Sequence, residues 1–292
     1  MIPGTYSTAP VISGARLTID GAGSSLNIAV ADGGIEVENG ANLTLTGLQI
    51  TSGNGEGIRC EGGTGNVLSV SHVTIDAKGF AILGNPCTVT AESSSFRTRN
   101  SNLAVVLASP PVTMTMSRCT FQGGDGVQAL GGGSFVRVDN SLFLDQLGVD
   151  GAANGIQLGG SGFGTVVISF STFVNSQLRC SDGIPACAGG AAAGACIDDS
   201  IIVGSAGDTV TGTACSVNYS IATPQSAALS GGHNLVNMDP GFINSQSDYA
   251  LKNTSPAVDA ADPTATAPSP DLAGVSRPQG ARADLGAYEY KP

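Results

Sequence analysis

Tryptophan is absent from the 292 residues, aromatic residues make up 5% and charged residues only 12%. A helical bundle or a doubly wound α/β chain carries more Leu, Lys and Glu, so neither class fits. Basic residues are scarce: 12 Lys and Arg face 23 Asp and Glu, for a net charge of −11. Nucleic-acid binding needs clustered Lys and Arg on one face, and nothing of that kind is present. No apolar run approaches the roughly 18–20 residues of a membrane helix. The opening residues Met1, Ile2, Pro3 and Gly4 do not read as an export leader.

What the chain does have is 42 Gly, with many Val, Ile, Thr and Ser. That mixture means many short strands and many turns. Hydrophobic residues are 41% of the total, enough to bury a core. Of the seven cysteines, Cys180, Cys187, Cys196 and Cys215 share one Gly/Ala-rich stretch. Their spacings match no zinc pattern and no His is near, so one or two disulfides are expected there. The odd count leaves a free thiol. Disulfides place the chain in an oxidising setting, secreted or at the cell surface.

A repeat organises most of the chain. Residues 43–50, 68–75, 89–96, 114–121, 136–143 and 166–173 align, with a weaker seventh at 196–202. Within each unit apolar residues alternate, lose phase, and alternate again, which predicts two short strands joined by a tight bend. Gly47, Asn140 and Asp199 fall at that bend and tolerate left-handed backbone. A third strand begins after a Gly in most units, as at Gly34, Gly57, Gly79, Gly126 and Gly155. Its outward positions are expected to be Glu36, Arg59, Ala81, Gln128 and Gln157. Three short strands per coil of roughly 20–30 residues make a β-solenoid. Phe96, Phe121, Phe143 and Phe173 should stack in one inward column. Ser94, Cys119, Ser141, Ser171 and Ser200 should form a hydroxyl ladder between coils.

Over about residues 14–205 this pattern resembles the right-handed parallel β-helix family, the pectate-lyase-like superfold. The expected fold is all-β, seven or eight coils with three short strands each and a C-terminal cap. Residues 1–205 read as the coils. Residues 206–292 read as the last irregular coil and the cap, packed on the same solenoid as one structural domain. The end of the chain holds Asp239-Pro-Gly-Phe242, Ser255-Pro-Ala-Val-Asp259 and Asp284-Leu-Gly-Ala-Tyr-Glu-Tyr290. It is similar to the C-terminal part of bacterial secreted β-helix proteins called choice-of-anchor Q. Phe242, Leu251, Val258, Leu285 and Tyr288 are expected to cover the open end of the solenoid. Asp271 and Asp284 are expected to pair with Arg277 or Arg282, with calcium the alternative reading of this acidic group.

Chemistry on such a fold is expected along the third strand and the loops that enter it. Lys78, Arg97 and Arg99 fall in consecutive coils and are the candidate catalytic cations. Cleaving a uronic-acid polymer by β-elimination needs a base for the C5 proton and a cation for the carboxylate. Arg59, Gln128, Gln157 and Asn154 are candidate substrate-binding residues. Asp76, Asp125, Asp145 and Asp150 are candidate calcium ligands. Hydrolysis needs carboxylates facing one bond, and Asp198-Asp199 is the only adjacent pair. The signatures of polygalacturonases, pectate lyases and alginate epimerases are missing. The reading is therefore an exported bacterial protein engaging polysaccharide, as a non-catalytic adhesin or structural module. The alternative is a polysaccharide lyase or glycosidase, with lyase chemistry ahead of hydrolysis.

Overall fold

The strands recur three to a coil and pair in parallel with their counterparts one coil away. The computed structural model describes residues 4–6, 10–28, 34–100, 104–109, 111–130, 133–145, 154–159, 165–179, 194–205, 207–212 and 215–292. The two strands on either side of the bend build an 18-stranded sheet, the bend sheet, and the third strand builds a nine-stranded sheet. The nine are Val11–Ser13, Ile35–Glu38, Ile58–Glu61, Ile82–Asn85, Ala104–Ala108, Asp125–Leu130, Asn154–Gly159, Gln177–Arg179 and Val210–Thr211. In the bend sheet, parallel pairing runs on through Cys215–Asn218, Ile221–Thr223 and Leu235–Val236. The glycine before the third strand answers a close approach. A Cβ on Gly57 would overlap Ile75 and the carbonyl oxygen of Ala81 in the next coil.

The register puts Leu26, Ile50, Ile75, Phe96, Phe121, Phe143, Phe173 and Ile202 in one inward column. The phenylalanine rings stand 5.7, 4.5 and 4.3 Å apart, the last two pairs nearly parallel. All four are fully buried. The coil spacing of about 4.8 Å dictates this offset stacking, because equivalent side chains must sit one strand spacing apart.

At the bend, one residue per coil takes the left-handed conformation. Gly47, His72, Ser93, Arg118, Asn140, Phe170, Asp199, Tyr219 and His233 have φ between 45° and 61°. A side-chain-bearing residue pays roughly 1–2 kcal/mol for this geometry. The next residue carries the ladder. The Val73 N–H donates to Ser94 Oγ, Cys119 N–H to Ser141 Oγ, Ser141 N–H to Ser171 Oγ and Ser171 N–H to Ser200 Oγ, at 3.0–3.2 Å. The Ser200 N–H meets Ser220 Oγ, and the Ser220 N–H meets Asn234 Oδ1. Each of these five hydroxyls donates to the carbonyl two residues earlier in its own coil. Every serine thus satisfies a buried N–H of the coil before it. At the far end the Gln225 amide stands in for a further strand. Its Oε1 accepts the Val210 N–H and its Nε2 donates to the Val210 carbonyl.

Cysteine usage departs from expectation. Cys60 and Cys87 form a disulfide between the third strand Ile58–Glu61 and the first residue of Cys87–Glu92, the strand that opens the second coil after it. Cys196 and Cys215 are each disulfide-bonded too, as expected of that stretch, while Cys180 and Cys187 lie outside the described residues. The buried Cys119 is free, and burial pushes its thiol up to about 12.

The tail corrects a second expectation. It does not simply plug the end of the stack. Phe242, Leu251, Ala257, Ala261, Ala283 and Leu285 bury themselves against Leu142, Phe170, Val174, Ile201 and Ile221 on the flank of the bend sheet. The outward column there is polar in the early coils, at Thr74, Ser95 and Thr120. It turns apolar at Leu142, Ile201 and Ile221, with the buried Thr172 between the first two, where the tail covers it. Hydrogen bonds fix the docking. Asn140 Nδ2 donates to the carbonyls of Pro268 and Pro270, and Ala287 N–H donates to Thr172 Oγ1. Arg277 pairs with Glu289 at 3.2 Å, not with an aspartate, and both side chains are wholly buried. Its guanidinium also donates to the carbonyls of Asp284 and Gly286 and lies 5.2 Å from the centre of the Phe170 ring. Asp271 and Asp284 instead accept backbone N–H groups of Val275, Glu289, Asp259 and Tyr290.

Three stability outcomes follow, all read by urea denaturation. Ser171→Ala strands the buried Ser141 N–H and should cost about 1–3 kcal/mol, whereas Cys119→Ser restores the ladder's usual residue and should cost well under that. Glu289→Ala leaves Arg277 charged and buried without its carboxylate and should cost about 3–5 kcal/mol.

Candidate functional site

The outward face of the nine-stranded sheet is one column in register. It runs Val11, Glu36, Arg59, Leu83, Leu107, Gln128, Gln157, Arg179 and Thr211. Leu83 occupies the place expected for Ala81, because the strand begins at Ile82 and turns Ala81 inward, where it is fully buried. Arg179 joins the column from a strand that the sequence repeat did not reveal. Arg59 is held between two carboxylates, 3.7 Å from Glu56 and 3.4 Å from Glu61. Gln128 and Gln157 are register partners on adjacent strands. The side chains of Asn154 and Gln157 lie outside the described residues.

The rim beside this face carries the cations. In the register Arg97 is the partner of Asp76, and the Arg99 N–H donates to the Ala77 carbonyl, which sets Arg99 beside Lys78 one coil away. Strand alternation sends Arg97 and Arg99 outward while Thr98 between them is buried. The structure therefore brings Lys78, Arg97 and Arg99 onto two adjacent coils. Arg99 folds back diagonally: its Nε meets Asp76 Oδ1 at 2.8 Å and its Nη2 donates to the Ser52 carbonyl at 2.7 Å. Lys78 and Arg97 are exposed and form no ion pair among the described residues.

The candidate calcium ligands do not converge. Asp76 is engaged by Arg99. Asp125 is 3% exposed at the start of its strand. Asp145 is exposed and accepts from Asn175 Nδ2 at 2.8 Å. Asp150 lies outside the described residues. These aspartates come from different coils, and no group of three potential ligands gathers among the described residues. Asp198 and Asp199, the adjacent carboxylates considered for hydrolysis, are on the bend flank beside the tail, far from the rim in the coil. Asp199 Oδ1 accepts the Asp262 N–H at 2.7 Å, and Asp198 Oδ1 accepts from Asn218.

Residues 11–143 match the sequence profile of a family described as the right handed beta helix region. The fold is a right-handed parallel β-helix. No curated protein matches the chain. Among solved structures it is similar to the pectate lyase Pel9A, at 14% identity and a TM-score of 0.46, over 99% of this chain and 86% of that one. It is also similar to a mutant of the PL6 family alginate lyase AlyGC, at 11% identity and a TM-score of 0.30. That match covers 92% of this chain and 56% of the other. None of these matches bears on the choice-of-anchor Q resemblance of the tail.

The rim residues separate by their contacts. Lys78→Ala and Arg97→Ala should leave stability within about 0.5 kcal/mol of the parent, since each removes an exposed, unpaired side chain. Arg99→Ala loses a half-exposed ion pair and a bond to a carbonyl and should cost about 1 kcal/mol. Denaturation midpoints at constant m-value check this ordering.

Proposed function

We propose that the chain is an extracellular bacterial β-helix that engages uronic-acid polysaccharide at the rim of Lys78, Arg97 and Arg99, with lyase-type elimination as its chemistry. The observation that carries this reading is the placement of three cations on two adjacent coils of a chain whose net charge is −11. Exposed charges more than about 8–10 Å apart are screened at physiological salt. The local cations, not the overall acidity, then decide what the rim attracts. Elimination removes the C5 proton of a uronate, forms the C4–C5 double bond and expels the C4 oxygen, which leaves with a proton. Lys78, acting as the neutral amine, takes the C5 proton and returns it to the departing C4 oxygen, while Arg97 and Arg99 neutralise the carboxylate so that the enolate is stabilised. Arg59 and Gln128 on the adjoining face offer hydrogen bonds to further sugars, and Gln157 and Asn154 are assigned the same role from the sequence alone. Hydrolysis fits less well, because Asp199 is tied up in docking the tail and the neighbouring Asp198 is engaged by Asn218 of the next coil. The disulfides fit an oxidising, extracellular location.

One observation favours a second reading, non-catalytic binding. Lys78 and Arg97 are exposed, and two depressions in the described surface lie elsewhere, one around Asn66, Pro86 and Thr113 and one around Asp208, Val210 and Ala227. The test incubates the chain with acidic and neutral polysaccharides, with and without calcium, and measures new reducing ends and the absorbance of unsaturated uronate. The lyase reading expects both signals from polyuronates and their loss in Lys78→Ala and Arg97→Ala. Retained binding without either signal supports the non-catalytic module, and reducing ends without the absorbance mean hydrolysis.

A further inference from the structure

The docked tail meets the solenoid across an interface in which carboxylates outnumber guanidiniums. From the solenoid side come Asp198 and the bend residue Asp199, which is 2% exposed. The first tail stretch, residues 259–262, brings Asp259 and Asp262. The second, residues 271–289, brings Asp271, Arg277, Arg282, Asp284 and Glu289. Seven acids thus face two arginines, and Arg277 is already engaged by Glu289 while Arg282 donates to the Ala261 carbonyl. Asp199 is the pivot. Its side chain accepts the Asp262 N–H and its own carbonyl accepts the Gly286 N–H, so both tail stretches hang on one residue.

We propose that the tail is an acid-tightened latch: it docks on the bend-sheet flank more firmly in mildly acidic solution than at neutral pH, with Asp199 as the sensing residue. Removing Asp199 from water pushes its carboxyl up to about 6, and the Asp198 and Asp262 charges push it the same way, against the Asp262 N–H and Arg277. Burial also raises Asp284 to about 6. In the undocked state Asp199 loses the tail's cover and the Asp262 charge and returns toward the ordinary carboxylate range near 4, whereas the partners of Asp284 all belong to the tail and stay with it. Between about pH 4 and pH 6 the docked form holds more protons than the undocked one. Docking is therefore strongest below that window, weakens as pH rises through it, and is flat above it. A shift of about two pH units bounds the effect at about a hundredfold in the docking equilibrium per carboxyl. Release would bare Leu142, Phe170, Ile201 and Ile221.

The test is amide hydrogen exchange on the full chain at pH 4.5 and pH 7.5, corrected for intrinsic rates. The Asp262, Gly286 and Ala287 amides, which cross the interface, should lose protection by tenfold or more at the higher pH. The ladder amides of Ser141 and Ser171 should keep theirs. Asp199→Asn retains an acceptor for the Asp262 N–H and removes the titration, so it should raise protection at pH 7.5 and flatten the profile. Interface protection that is unchanged or greater at pH 7.5 overturns the latch, as does an unaltered profile in a folded Asp199→Asn. The pH series of the parent chain decides the matter even if that variant does not fold.

Discussion

A buried serine hydroxyl that reaches one coil back is the contact on which the architecture turns. Two strands meeting at a sharp bend cannot keep every N–H in a sheet ladder. The residue after the bend would leave its N–H buried and unsatisfied, at a cost comparable to a lost hydrogen bond. In this chain Ser94, Ser141, Ser171, Ser200 and Ser220 each accept that N–H from the preceding coil and return their own proton to a carbonyl. The bend can then be reused at a fixed place in coil after coil, even with Arg118, Phe170 or Tyr219 in left-handed geometry. The fixed bend in turn keeps Phe96 to Phe173 in line.

That repetition explains how the rim arises. Parallel pairing that keeps its register from coil to coil, as it does around the rim, carries residues 20–30 apart in sequence to neighbouring positions about 4.8 Å apart. Asp76, Arg97 and Gln122 become neighbours for this reason alone. Function on such a scaffold is set by what the loops and outward positions carry, not by the fold itself. The rim is uneven: Arg99 is anchored to Asp76 and Ser52, while Lys78 and Arg97 reach into solvent. One positioned cation beside two uncommitted ones is an arrangement suited to meeting a repeating anionic chain.

The repeat was legible because inward positions obey strict alternation. The phenylalanine column, the hydroxyl ladder and the bend at Gly47, Asn140 and Asp199 could all be read from residue types and spacing. What escaped was long-range or depended on a shift of one residue. Ala81 was misplaced because a single-residue change in where a strand starts exchanges inside for outside. The Cys60–Cys87 disulfide joins residues 27 apart, a separation with no local signature. The tail's true berth was also hidden. Its clue was present, in the change from Thr74, Ser95 and Thr120 to Leu142, Ile201 and Ile221 on an outward column interrupted only by Thr172, which signals that something covers the later coils. The partners of the rim cations followed the same rule: the diagonal reach of Arg99 to Asp76 depends on side-chain direction, which spacing does not encode.

The central claim is that the rim of Lys78, Arg97 and Arg99 is where polysaccharide meets this β-helix. Footprinting by amide exchange in the presence of a uronate oligosaccharide tests it most directly. The account predicts protection confined to the segments around Ser52, residues 76–79 and residues 97–100, with Arg59 and Gln128 at its margin. A footprint on the outer face of the bend sheet, or no footprint with an oligosaccharide that demonstrably binds, would contradict it.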